Sequence, residues 1–399
     1  MPAYSAEQAS EDPVKGPTLS GPIRVTRERL RTQFFRFLSH VASIDDTRAI
    51  FSGALQQQNA SCVAPELAAY RDEDAPYPEL RRARVNGVEQ RDDVLFITAR
   101  FRTGSTLLWN LFRHMRGVTA YYEPFNERRW FDPAARGSHT DATHLDVTDY
   151  WSEYDGLEAL GSYYCVDWRF KQLYMHAAAH NPDMERFIEV LIERAAGRPV
   201  LQFNEVDLRL PWLRARFPRA RLLHLYRNPR DQWCSTLGKA ELDMRRLTLR
   251  HFEPFDGFYL LSWGRDLRHY FPFLTLDPDS HPYELFYQTW KLSYIFGRQH
   301  ADLSLAFEDL TARPEHTLRT VLGALSFRQV DFAGLAGLVS PMPSGKWQRH
   351  RCDDLYERIE AGVDATLERV CSALRPQVLR AAAASEYQAP LLVNARSGT

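Results

Sequence analysis

The chain has 399 residues, long enough for a large α/β core, and carries 50 Lys and Arg against 51 Asp and Glu. That balance excludes the global basic field that nucleic acid or an anionic membrane surface requires. Five cysteines lack a C-x-x-C spacing and no apolar run reaches about 18 residues, so neither zinc site, disulfide framework nor spanning helix is expected, and no leader-like start is seen: a cytoplasmic location is expected.

In chain order, residues 1–22 are polar with four prolines and two glycines, and are expected to form a disordered arm. Residues 23–90 are expected to form a small helical extension, since Leu30, Phe34, Phe35, Leu38 and Val41 recur at helical spacing. Residues 91–380 read as one α/β domain, and 381–399 as a tail. Residues 94–98 are a short apolar strand, followed by a polar loop, 100–104. Ser105, Leu108, Leu111, Phe112 and Met115 then mark a helix, with Gly117 expected at its C-terminal cap. Further strands are expected at 118–122, 199–203, 221–226 and 303–307, with helices between them and a loop-and-helix stretch over 130–175. This alternation argues for a parallel sheet flanked by helices on both faces.

A strand entering a helix through a Gly-Ser-Thr loop makes an anion site. The first amides of the helix lack intrahelical partners and point at the loop. Gly104 permits close approach, Ser105 and Thr106 add hydroxyls, and Arg102 adds a forked cation. The nucleotide-triphosphatase loop needs a lysine and a magnesium hydroxyl, and this loop has no lysine. A second candidate follows the 221–226 strand. There Arg227 stands at the strand's carboxyl end, Asp231 is expected to cap the next helix, and Ser235 lies on that helix.

Arg-Thr-Gly-Ser-Thr-Leu-Leu at residues 102–108 resembles the 5′-phosphosulfate loop of sulfotransferases that use 3′-phosphoadenosine 5′-phosphosulfate (PAPS). Tyr-Arg-Asn-Pro-Arg-Asp at 226–231, with Ser235 eight places after Arg227, resembles that family's 3′-phosphate motif. Residues 305–314 are similar to a third family segment, with Phe307 in place of its usual tyrosine. The resemblance implies a P-loop-like sulfotransferase fold of the bacterial type. It implies transfer of a sulfuryl group from PAPS to an acceptor hydroxyl, with no metal. It assigns Arg102, Thr103, Gly104, Ser105 and Thr106 to the phosphosulfate, and Arg227 and Ser235 to the 3′-phosphate. Lys346 and Arg349 resemble the late basic loop over the nucleotide; solvated surface cations are the alternative.

Tyr-Tyr-Glu-Pro at 121–124 resembles the segment that carries a glutamate base in carbohydrate and tyrosylprotein sulfotransferases. Glu123 lies 21 residues after Arg102, past one helix and one strand, which returns the chain to the same sheet edge. Pairing with an arginine is the bland alternative. Many relatives carry a lysine where this chain has Asn204; a hydrogen bond from Asn204 itself, or a cation from Arg100 or Lys171, is the candidate replacement, and Glu205 is a rival base. Aromatic-rich segments 130–174 and 252–296 suit either a core or a cleft for an acceptor, expected to be a carbohydrate, lipid or secondary metabolite. Two other readings stay open: a P-loop kinase, and a nucleotide-binding module without catalysis. The sequence leaves the oligomeric state undetermined.

Overall fold

The computed structural model describes residues 91–141, 144, 146–238, 242–340 and 345–387, with residues 33, 34, 36, 37, 40 and 41 near the N-terminus; side chains are described as far as residue 372. The expected arm, nearly all of the expected N-terminal extension and the chain after 387 lie outside the described residues. The chain divides into two compact units, Met1–Arg81 and Arg82–Thr399. Everything below concerns the second.

Five strands form one sheet: β1 (Leu95–Ala99), β2 (Val118–Tyr122), β3 (Arg198–Phe203), β4 (Arg221–Tyr226) and β5 (Leu303–Ala306). All neighbours are parallel, in the order β2-β3-β1-β4-β5. β1 is buried at every position, as a central strand covered on both faces must be. The connections supply helices α1 (Ser105–Arg113), α2 (Pro182–Arg194), α3 (Leu210–Arg216), α4 (Pro229–Leu237), α5 (Leu249–Phe252), α6 (Leu260–Leu267) and α7 (Pro282–His300). After β5 come α8 (Phe307–Ala312), α9 (Pro314–Ala324), α10 (Phe332–Gly337) and the long α11 (Asp353–Tyr387).

Three local expectations change. α1 ends at Arg113 rather than at a glycine cap, and Gly117, at φ 72°, instead makes the turn into β2. Its carbonyl accepts from the Arg198 amide at 2.7 Å, so the tight turn is fixed by the neighbouring strand. α4 is capped by Asn228, whose side chain accepts from the amides of Arg230 and Asp231, with Pro229 as the first helical residue. Asp231 is thereby free for a distant partner. Among the described residues of the 130–175 stretch there is no α-helix, only 3₁₀ turns at Ser152–Tyr154, Glu158–Ser162 and Val166–Arg169. Its aromatic residues lack a helical period and are recruited into the core singly.

Two apolar cores support the sheet edge. The larger joins β1–β4 and α1–α3 with Trp130, Tyr150, Tyr154 and Trp168 of the aromatic stretch. The smaller lies among α4, α6, α7 and the start of α11, around Trp233, Trp263, Tyr283 and Tyr356. Complete burial of each such side chain contributes about 1.5–3 kcal/mol relative to exposure. The rigidity of these cores places the loops that follow β1, β2, β3 and β4.

Candidate active site

The strand order reverses direction at β1 and β4, the two strands whose crossovers run to opposite sides of the sheet. Ligands of open α/β sheets bind at the carboxyl edge at such a point. β1 and β4 pair in register from Leu95↔Arg221 to Ala99↔Leu225, so the loop carrying Arg102 and the loop carrying Arg227 emerge side by side. Arg227 Nη1 donates to the Arg102 carbonyl at 3.1 Å, and Arg102 Nε donates to the Ser235 hydroxyl at 3.1 Å. The two expected anion sites are thus one continuous wall.

Arg102 is held in the left-handed region, at φ 66°. Gly104 is at φ 92°, and a Cβ there would lie 2.2 Å from the Phe307 ring. The absent side chain is what lets β5's end close against the loop. Arg227 stacks on the same ring, its guanidinium carbon 4.8 Å from the Phe307 centroid. Burial lowers the Arg227 pKa from its ordinary value, and its Nε has no hydrogen-bond partner. At the head of α1 no side chain caps the helix and no acidic residue stands in the first turn. The first amides are therefore left for a ligand.

These groups open on a cavity of about 580 Å³. Arg102, Gly104, Ser105, Thr106, Glu123, Arg227, Ser235 and Lys346 line it. Thr103 does not: it is buried behind the loop, its hydroxyl donating to the Arg100 carbonyl at 2.8 Å. Lys346 opens a 3₁₀ turn, Lys346–His350, that Asp231 anchors by accepting from the amides of Gly345 at 2.8 Å and Lys346 at 2.7 Å. Arg349 lies on that turn, outside the cavity lining, with Nε directed at His350 Nε2 at 3.2 Å.

Glu123 follows β2 and reaches the cavity with φ 39°, a rare backbone conformation for a side chain of this size. It is 5% exposed, and burial pushes its carboxyl above the ordinary glutamate value despite several donors. Asn126 Nδ2 donates to Oε2 at 2.6 Å, and Asn204 Nδ2 donates to Oε1. The second contact follows from register: Tyr122 pairs with Gln202, and Asn204 lies two residues on. Gln202 Nε2 donates to Asn204 Oδ1 at 2.9 Å, which turns the Asn204 amide toward Glu123. Asn204 thus orients the carboxylate.

Neither expected replacement cation faces the cavity. Arg100 is buried in an ion pair with Asp207 at 2.8 Å, and Lys171 is exposed, bonded to Asp167 at 2.7 Å. Arg169 takes the position beside the carboxylates instead. It lines the cavity, contacts Glu127, sits 3.7 Å from Glu205 and stacks on Tyr259 at 4.4 Å. Its backbone is set by Arg209, a fully buried guanidinium that donates to the carbonyls of Trp168, Lys171, Gln172 and Glu205. Glu205 is completely buried behind this layer, outside the cavity lining, and burial pushes its carboxyl up to about 7. His144 also lines the cavity, its Nδ1 2.6 Å from the Tyr150 hydroxyl; burial lowers its pKa and favours the neutral ring.

Cys352 to Arg358 has the C-x₅-R spacing found in phosphate-binding cysteine loops, but it forms no such loop here: Cys352 is buried, its Sγ donates to the His350 carbonyl at 3.0 Å, and α11 begins at the next residue. Among the described residues no group of three or more His, Cys, Asp or Glu could hold a metal ion, and no helix is long and apolar enough to cross a membrane.

A parallel sheet whose central strand runs through a Gly-Ser-Thr loop into a helix, with cations and a buried carboxylate at one edge, is a P-loop-like α/β fold. The chain belongs to the sulfotransferase family, whose model matches residues 94–331. Among solved structures it is similar to a sulfotransferase from Alicyclobacillus acidocaldarius, at 17% identity and a TM-score of 0.35, covering 70% of this chain and 98% of that one. It is also similar to the sulfotransferase domain from the curacin biosynthetic pathway, at 15% identity and a TM-score of 0.33, covering 65% of this chain and 96% of that one. No curated protein matches the chain.

Proposed function

We propose that the chain transfers a sulfuryl group from PAPS to a hydroxyl of a carbohydrate, lipid or secondary-metabolite acceptor, with Glu123 as the general base. The observation that carries this reading is the shared cavity. Arg102 and Arg227 line one wall of it, joined through the Arg102 carbonyl, and the buried Glu123 carboxylate faces the same space.

Three features fit a ligand with two anionic ends. Arg227 keeps a buried Nε without a partner. The head of α1 is uncapped. Gly104 lines the cavity without a side chain, so its backbone is open to a ligand. In this reading Arg102, Gly104, Ser105 and Thr106 hold the phosphosulfate end, through amides, hydroxyls and one guanidinium. Arg227 and Ser235 hold the 3′-phosphate, with Lys346 closing from its anchored turn. The bound nucleotide supplies an activated sulfuryl group and a phosphate leaving group. The protein's own work is positioning and charge stabilisation at the leaving oxygens.

Glu123 receives the acceptor's proton. Its raised pKa makes it a stronger base than a surface glutamate, and its two asparagine donors fix the carboxylate orientation. Arg169 balances the buried charge. No metal is assigned, and a cytoplasmic location belongs to the same proposal. The test is transfer from labelled PAPS across a panel of glycan, lipid and phenolic acceptors. Glu123→Gln abolishes transfer while Glu205→Gln retains it; loss in Glu205→Gln alone, with folding intact, would move the base to Glu205. PAPS binding without turnover on any acceptor favours a nucleotide-binding module, and tight ATP–Mg²⁺ binding favours a kinase.

A further inference from the structure

A second carboxylate, Glu127, lines the same cavity as Glu123. Glu123 is buried, whereas the Glu127 side chain is 43% exposed. The two are close along the backbone. The Asn126 amide donates to the Glu123 carbonyl at 2.9 Å and closes a turn there. The ends of such a turn lie less than about 7 Å apart, and Glu127 is the next residue.

Two donors hold the Glu127 carboxylate, one on each oxygen. The Tyr259 hydroxyl donates to Oε1 at 3.2 Å, and Arg169 contacts Oε2. Helix α6 fixes both donors. Tyr259 stands at its head with φ 63°, and the Asp256 carboxylate accepts from the amides of Leu260 and Leu261 at 2.8 Å each. Trp263 Nε1, on the same helix, donates to the Arg169 carbonyl at 2.8 Å. The Arg169 guanidinium also stacks on the Tyr259 ring at 4.4 Å. A carboxylate offers about four acceptor positions, and these contacts use two. Its exposure leaves the others open to the cavity.

The local charge does not favour a cationic acceptor. Glu123, Glu127 and Glu205 stand against Arg128 and Arg169 at the cavity and the buried Arg209 behind it. Glu127 therefore offers hydrogen-bond acceptance rather than surplus negative charge. Beside it is an aromatic platform. The Phe101 ring lies 5.6 Å from Phe258 and 6.2 Å from Tyr259, and all three line the cavity. The Arg102 guanidinium lies 5.8 Å from the Phe258 centroid, so the platform runs from the anion loop toward Glu127.

We propose that Glu127 is a specificity-determining residue that accepts from a second hydroxyl of the acceptor, and that the acceptor is a sugar ring. This rests on the reading of Glu123 as the base. One ring hydroxyl meets Glu123, another meets Glu127, and the apolar C–H face of the ring packs on the aromatic platform. A simple lipid alcohol or a phenol brings one hydroxyl only. It would displace water from Glu127 without replacing the hydrogen bond, and sites built for a hydroxyl reject such analogues.

The experiment is a saturation-transfer NMR titration of the chain, with and without 3′-phosphoadenosine 5′-phosphate. The probes are the methyl glycosides of glucose, galactose and N-acetylglucosamine, their monodeoxy analogues, decanol and 4-nitrophenol. At least one glycoside is expected to bind more tightly than either monohydroxy probe. Two of its ring hydroxyls should each matter roughly tenfold in the wild type. In Glu127→Ala one of these two penalties disappears and the other, which belongs to Glu123, persists. A merely structural role for Glu127 would weaken every analogue alike and leave both penalties in place. Glu127→Gln keeps the side-chain size and supplies the same comparison should the alanine variant fold poorly. Two results overturn the proposal: no glycoside binding, whether or not decanol or 4-nitrophenol binds, and penalties equal in wild type and both variants. Glycoside binding with the expected penalties but no nucleotide binding sinks the PAPS reading and leaves the role of Glu127 standing.

Discussion

Arg227 Nη1 donates to the backbone carbonyl of Arg102 across 125 positions of sequence, at 3.1 Å. This contact joins the ends of β1 and β4 and leaves Arg227 Nε, buried and without a hydrogen-bond partner, for a ligand. Arg227→Ala is therefore expected to weaken 3′-phosphoadenosine 5′-phosphate binding roughly ten- to a hundredfold, the value of about 1.5–3 kcal/mol for a charge-assisted hydrogen bond. Adenosine 5′-phosphate binding should change far less. Titration calorimetry of the two nucleotides separates a lost phosphate contact from general damage.

Gly104 should not tolerate a side chain. Its φ of 92° disfavours alanine, and the added Cβ would meet Phe307 at 2.2 Å. Gly104→Ala is expected to cost about 1–3 kcal/mol of stability and to displace the loop. Denaturant unfolding measures the cost, and combining it with Phe307→Leu should recover part of it. No change in either variant would mean that the ring does not close the loop.

Asp231 ties α4 to the turn that carries Lys346. Replacing it by asparagine removes one acceptor oxygen from two backbone donors, at a cost of about 1–3 kcal/mol for the unsatisfied amide. The expected kinetic result is faster nucleotide release with little change in association, read by stopped flow. An unchanged release rate would separate this turn from nucleotide retention.

Glu205 sets a pH dependence of stability. Its folded pKa, about 7, lies above the ordinary glutamate value, so the native state holds a proton that the unfolded chain gives up. This contribution is complete below the unfolded pKa and is lost as pH rises through about 7. Glu205→Gln mimics the protonated form. It should melt like the wild type in mild acid and become the more stable of the two above neutral pH. A stability difference that does not vary with pH would show that Glu205 is ionised throughout.

Much of this was readable in the residues themselves. The 118–122 and 221–226 runs are strands β2 and β4 at those bounds, because short apolar segments between turn residues admit little else. The position of Glu123 at the sheet edge followed from counting one helix and one strand. What local pattern failed to show depends on distant partners. Asp231 looked like a helix cap, but Asn228 with Pro229 caps better, and Asp231 serves a turn more than a hundred residues later. Arg169 gave no signal, since it sits among aperiodic aromatics and is placed by Arg209 through backbone carbonyls. The Tyr122–Thr106 contact is invisible in sequence, because β2 returns to α1 only through the packing of the sheet.

The most direct test of the central claim is metal-free calorimetric titration of 3′-phosphoadenosine 5′-phosphate into the wild-type chain, with adenosine 5′-phosphate as the comparison. Micromolar binding that requires the 3′-phosphate is the predicted result, since Arg227 and Ser235 have no other anion to hold in this reading. Equal binding of both nucleotides, or none of either, would contradict the assignment of the wall formed by Arg102, Ser235 and Arg227.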